Sequence, residues 1–135
     1  MKLITRDTDY AIRALGYIAG SQERVVSVSE LVKELKIPRP FLRKNLQILD
    51  KKGILKSYKG KGGGFALAVP PDEISILGLI KIFQGPFKLN ECFFKKHLCP
   101  NTKDCALKRK IDKIERYVLR ELAAINLGYL FWYKH

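Results

Sequence analysis

Cys92, Cys99 and Cys105 are the residues whose type and spacing most readily suggest chemistry. They are the chain's three cysteines, and they fall in one short segment with the spacing C-x6-C-x5-C. An odd number of thiols argues against a disulfide framework. Structural zinc usually draws on a close C-x2-C pair, which is absent here. Three thiolates on one loop suit a soft metal centre, most naturally an iron–sulfur cluster. Pro100, directly after Cys99, also occurs in cluster loops. The competing reading is three buried structural cysteines, a common fate of this residue, and spacing alone leaves it open.

A second constellation is electrostatic. Between Pro38 and Gly62 stand eight basic residues, Arg39, Arg43, Lys44, Lys51, Lys52, Lys56, Lys59 and Lys61, with Asp50 the only acid. The whole chain of 135 residues carries a formal net charge of +13. Such an excess calls for an anionic partner, nucleic acid or an acidic membrane, and predicts salt-dependent binding. No apolar run is long enough to span a bilayer and the N-terminus lacks the pattern of a signal peptide, so a cytoplasmic location is expected. Catalysis is not expected. His97 and His135 are the only histidines, and neither sits in a recognisable catalytic arrangement.

The elements that must position these groups follow from periodicity and punctuation. Thr8 is the expected N-cap of a first helix over residues 9–20, with Ala11, Leu15, Ile18 and Ala19 on one face. Ser29 is expected to cap a short second helix carrying Leu31, Val32 and Leu35 inward. Pro38 and Pro40 fit only before a helix or in its first turn. A third helix therefore starts at Pro38-Arg39-Pro40, with Phe41, Leu42, Leu46 and Leu49 inward and Gly53 closing it. Two short apolar runs, from Ile54 to Tyr58 and from Phe65 to Val69, flank Lys59-Gly60-Lys61-Gly62-Gly63-Gly64, whose glycines permit a hairpin tip. The same glycines loosely resemble a dinucleotide fingerprint. A strand rather than a helix follows them, so no helix N-terminus meets a pyrophosphate. Ser75 begins a fourth helix, Ile76 to Phe83. A long helix starts near Ala106, and Leu107, Ile111, Ile114, Val118, Leu122 and Ile125 form its apolar seam, suited to pairing with a second copy.

Helix, short helix, turn, helix, hairpin is the order of a winged helix-turn-helix. The expected fold is mainly α with a small β-hairpin wing, followed by a long C-terminal dimerisation helix. Residues 1–84 would form the DNA-binding domain, 85–105 the cysteine-bearing loop, and 106–135 the dimerisation helix and tail. In this motif the second helix of the pair enters the major groove. Arg39, Pro40 and Arg43 then stand at its N-terminal end, where arginine can grip guanine O6 and N7. Lys44, Lys56 and Lys59 suit phosphates, and Lys61 the minor groove or the backbone beside the wing tip.

By these features the chain resembles the IscR/NsrR-type regulators, often called the Rrf-two family. The resemblance rests on Thr8-Asp9-Tyr10-Ala11-Ile12-Arg13-Ala14-Leu15, on Lys51-Lys52-Gly53-Ile54-Leu55-Lys56-Ser57, and on Gly60-Lys61-Gly62-Gly63-Gly64-Phe65-Ala66-Leu67-Ala68, with the three cysteines following. It implies a homodimer bound to a double-stranded DNA operator, and a 2Fe-2S or 4Fe-4S cluster in members that carry the cysteines. Cys92, Cys99 and Cys105 match the three family ligands. IscR-like members add a histidine three residues after the last cysteine. Here that position is Lys108, a poor ligand while charged. NsrR-like members add an aspartate of the first helix, given by the partner subunit, and Asp9 matches it. His97 is a local alternative. The competing function is a cluster-free DNA-binding regulator that senses thiol oxidation or a protein partner.

Overall fold

The computed structural model of the chain describes residues 2–22, 24–89 and 105–132. The order is α1 (Arg6–Gly20), α2 (Val28–Leu35), α3 (Arg39–Lys51), β1 (Leu55–Tyr58), β2 (Gly64–Leu67), a 3-10 turn (Pro71–Glu73), α4 (Ile76–Gln84), α5 (Ala106–Ala124) and α6 (Leu127–Trp132). This is the expected mainly helical, winged arrangement.

Helix starts differ in detail from the sequence reading. Thr5, not Thr8, is the N-cap of α1. Thr8 is buried within the helix and donates to Gln84 Oε1 at 2.6 Å. The same amide oxygen accepts from the Thr5 N–H at 2.9 Å. A distant glutamine thus serves the N–H group that a local cap leaves over. Ser27, not Ser29, caps α2, its Oγ accepting from Glu30 N at 3.1 Å. Ser75 caps α4 as expected, accepting from Gly78 N at 2.9 Å.

One core unites these elements. Ala11, Ala14, Leu15 and Ile18 of α1 meet Leu31, Leu42, Leu46, Leu49, Leu55, Leu79 and Ile80. Each such large side chain contributes about 1.5–3 kcal/mol by leaving water. Leu122 at the end of α5 and Leu127 at the start of α6 join the same core. The seam of α5 is accordingly split. Leu122 is buried, while Leu107 and Ile114 lie exposed on the protomer. Ile125 falls outside the helix. It is extended, and its carbonyl accepts from Ile76 N at 2.9 Å, which ties the end of α5 to α4.

The wing is a two-stranded antiparallel sheet in the register Leu55↔Leu67, Lys56↔Ala66, Ser57↔Phe65 and Tyr58↔Gly64. Val26, just before α2, adds a bridge to Phe65, with both N–H···O bonds at 2.9 Å. The hairpin is therefore moored to the helix pair it flanks.

Candidate nucleic-acid interface and cysteine site

The pair α2–α3 is joined by Lys36-Ile37-Pro38. Lys36 takes a left-handed conformation (φ 56°) and its N–H returns to Val32 O at 2.9 Å. Ile37 is buried and pins the turn from beneath. Pro38 precedes α3 and Pro40 lies in its first turn, where the missing N–H costs nothing.

Helix α3 buries Leu42, Asn45, Leu46 and Leu49. Its opposite face exposes Pro40, Arg43, Lys44 and Gln47. Arg39 is exposed on one flank and donates to Ser29 Oγ of α2 at 3.1 Å. Lys56, Lys59 and Lys61 are exposed along the wing, with Lys56 Nζ 5.5 Å from the Tyr58 ring centroid. Every one of the predicted DNA-contact residues is thus on the surface, spread over α3 and the hairpin.

Two residues depart from expectation. Phe41, expected inward, is 38% exposed, and the Arg6 guanidinium lies 4.4 Å from its ring centroid. The interior position is filled instead by Asn45. Its Nδ2 makes a long contact of 3.5 Å to Asp7 O, and its Oδ1 is buried with no hydrogen-bond partner. Sequence reading passed over Asn45 because an amide rarely occupies a core position. The pattern did carry the signal, since 42, 45, 46 and 49 are one helical stripe.

An ion-pair cluster that sequence reading also missed joins α1, the loop after it and α2. Arg24 Nη1 and Nη2 grip Glu30 Oε1 and Oε2 at 2.8 and 2.7 Å, and the Tyr17 hydroxyl donates to Glu30 Oε2 at 2.6 Å. These bonds, with Arg24 first, lower the Glu30 carboxyl to about 2. The Tyr17 phenol is raised in turn, chiefly because it donates to that carboxylate.

Of the predicted ligands, Cys92 and Cys99 lie outside the described residues, as does the alternative His97. Cys105 is a free, partly exposed thiol at the N-cap position of α5. Asp9 lies in the first turn of α1, its side chain 43% exposed, with Oδ2 3.1 Å from Arg13 Nε. Among the described residues no three His, Cys, Asp or Glu side chains gather into a metal site. The donors that are described suit a soft metal in part. Cys105 is an uncommitted thiol, whereas Asp9 is accessible but would have to leave Arg13.

A helix-turn-helix pair, a glycine-tipped hairpin moored beside it and exposed basic residues on both define a winged helix-turn-helix transcription regulator. The chain belongs to the Rrf2 family, described as iron-dependent transcriptional regulators, whose model matches residues 4–131. It is a DNA-binding regulator of transcription and not an enzyme. It is 33% identical over 125 residues to the transcriptional regulator NsrR of Oceanobacillus iheyensis, covering 85% of each chain. Among solved structures it is similar to CymR, the global cysteine regulator of B. subtilis, with a TM-score of 0.82, 22% identity and full coverage of both chains. It is also similar to T. potens IscR, with a TM-score of 0.74, 22% identity, and 96% and 85% of the two chains covered. Among the described residues no helix is long and apolar enough to cross a membrane.

Proposed function

We propose that the chain is a cytoplasmic, homodimeric regulator that binds an operator through α3 and the wing, and that an iron–sulfur cluster held in the 92–105 segment sets its DNA affinity. The observation that carries the DNA assignment is the set of exposed basic residues from Arg39 to Lys61, carried on α3 and the wing. In this reading Arg39 and Arg43 read guanine edges beside Pro40 at the start of α3. Lys44, Lys56 and Lys59 neutralise phosphates, and Lys61 reaches the minor groove or its rim.

The cluster assignment is supported by the cysteine spacing, by the family's description as iron-dependent and by kinship with NsrR. Cys92, Cys99 and Cys105 would hold it, with Asp9 of the partner subunit completing the set. The bound group would supply a centre reactive toward oxygen or nitric oxide. This chain's residues would supply the coupling. Carboxylate is a harder and more replaceable ligand than thiolate. Asp9 also has an alternative partner already in place, Arg13 at 3.1 Å. Release of Asp9 would let that ion pair re-form and leave α1 free of the cysteine segment of the other subunit.

A second reading is thiol sensing without a cluster. Cys105 stands free and partly exposed, and CymR, a fold neighbour, is named for cysteine regulation. Anaerobic purification separates the two. A brown protein with visible absorption, iron and acid-labile sulfide is expected, and Cys99→Ala should abolish all three. A colourless protein without iron or sulfide overturns the cluster assignment. Comparison of Asp9→Ala with His97→Ala then identifies the fourth ligand. Asp9→Ala should alter the spectrum and reactivity, and a change confined to His97→Ala refutes the partner aspartate.

A further inference from the structure

We infer that Arg6, the first residue of α1, is a further contact to the DNA backbone, held in place by the ring of Phe41. The inference rests on the proposed role of α3 as the recognition helix.

Three observations place Arg6 at that surface. Its guanidinium carbon lies 4.4 Å from the Phe41 centroid, and Phe41 is the third residue of α3. A stack of this kind keeps the cation at the ring face while its N–H donors stay free at the edge. Next, the first turn of α1 is attached to α3 at a second point, where Asn45 Nδ2 reaches Asp7 O at 3.5 Å. Arg6 therefore belongs to a turn that is fixed against the recognition helix. Finally, no carboxylate pairs with Arg6 among the described residues. The nearby Asp9 is paired to Arg13 instead. Arg6 is exposed, so its charge faces solvent rather than an internal partner.

The helix geometry says which side this is. With Leu42, Asn45, Leu46 and Leu49 facing in, Arg39 and Phe41 fall on opposite flanks of the exposed face. Arg39 is fixed on the α2 side through Ser29, and Arg6 is fixed on the α1 side through Phe41. A helix lying in the major groove has a phosphate rim on each side. Planar guanidinium groups match phosphate oxygens in a bidentate manner. Arg6 would grip the rim that α3 itself does not reach. If Arg6 merely shields Phe41 from water, its loss would leave the salt dependence of binding unchanged.

The salt dependence of binding tests this. The probe is a short DNA duplex of arbitrary sequence, titrated by fluorescence anisotropy over about 50–200 mM salt, because phosphate contacts do not need the operator. Each phosphate contact adds about 0.9 to the slope of log affinity against log salt. Arg6→Ala should lower the slope by about that amount, so that its deficit relative to wild type shrinks about 3.5-fold across the fourfold salt range. Arg6→Lys should restore most of the slope. In a Phe41→Leu background, Arg6→Ala should have a smaller effect, because the guanidinium is no longer held. Circular dichroism and urea midpoints check that each variant folds. Lys44→Ala serves as the reference for α3. If Lys44→Ala lowers the slope and Arg6→Ala does not, the Arg6 contact is refuted while α3 keeps its role. If neither does, the placement of α3 on DNA falls and the Arg6 contact falls with it.

Discussion

Glu30 holds the loop before α2 in place with a carboxylate shared between Arg24 and the Tyr17 hydroxyl. Its depressed pKa gives this pin a pH signature. A carboxyl lowered to about 2 in the fold stabilises it above the ordinary carboxylate range, and that contribution is lost as pH falls toward 2. Tyr17 works in the opposite sense. Its raised phenol stabilises the fold while neutral, and the contribution is lost only once pH climbs past its ordinary value of 10.0. Glu30→Gln should lower the urea midpoint at pH 7. The gap to wild type should narrow between about pH 5 and pH 2, where the wild-type carboxylate is titrated away. A constant gap across that range would show that the loop is held by something other than this ionised group. None of the cluster was legible from sequence. Tyr17 and Arg24 stand 13 and 6 residues before Glu30, and no local pattern marks them as partners. Helix α3 was legible as a stripe but misread at two positions. Phe41 is hydrophobic enough to suggest the core, yet it lies off the stripe of 42, 46 and 49, and Asn45 fills the place.

At the scale of elements, the hairpin is the feature on which sequence and structure agree most closely, because glycine leaves little else for the segment to do. Two of its glycines are required for different reasons, one for backbone conformation and one for close approach. Gly62 has φ 79° with open space around the position of a Cβ, so Gly62→Ala should cost only the left-handed penalty, about 1–2 kcal/mol. Gly64 has φ 155°, and a Cβ there would collide with the Val26 carbonyl group and with Ser27 Cα. Gly64→Ala should therefore cost at least about 3 kcal/mol, adding a steric clash to backbone strain. It should also open the Val26–Phe65 bridge that moors the wing. Urea unfolding gives the energy, and hydrogen exchange at Phe65 N reports the bridge. Equal losses for the two variants would mean that the close approach of Gly64 to Val26 does not exist in solution. Helix ends were the least legible elements. Thr8 and Ser29 are good capping residues by type, but Gln84 reaches back from α4 to serve Thr5 and Thr8, and α2 already begins at Val28, which leaves Ser29 inside the helix and gives the cap to Ser27. Long-range partners of this kind are invisible to a local pattern.

At the scale of the molecule, α5 divides into a face covered by the core and a face left exposed. Val118 and Leu122, expected in the seam between two copies, pack instead against the protomer's own core. The remaining apolar residues do not. Leu107 is 67% exposed, Ile114 54% and Tyr117 55%, and Tyr129 and Leu130 of α6 are exposed as well. Sequence periodicity could not divide the seam, since a stripe that faces its own domain and one that faces a partner have the same period. In the proposed homodimer the exposed half meets its mate, so the protomer core and the interface can be tested apart. Leu107→Asp with Ile114→Asp leaves the buried half untouched and should not unfold the chain. It should place two charges in the interface, which cost about 3 kcal/mol or more when buried unpaired, a hundredfold or greater loss of dimer affinity. Sedimentation should show dimers for wild type and folded monomers for the variant, with an unchanged helical signal by circular dichroism. DNA affinity should fall with the dimer, because two half-sites are no longer read together. A variant that stays dimeric would move the interface off α5, and with it the route by which Asp9 of one subunit could reach the cysteine segment of the other.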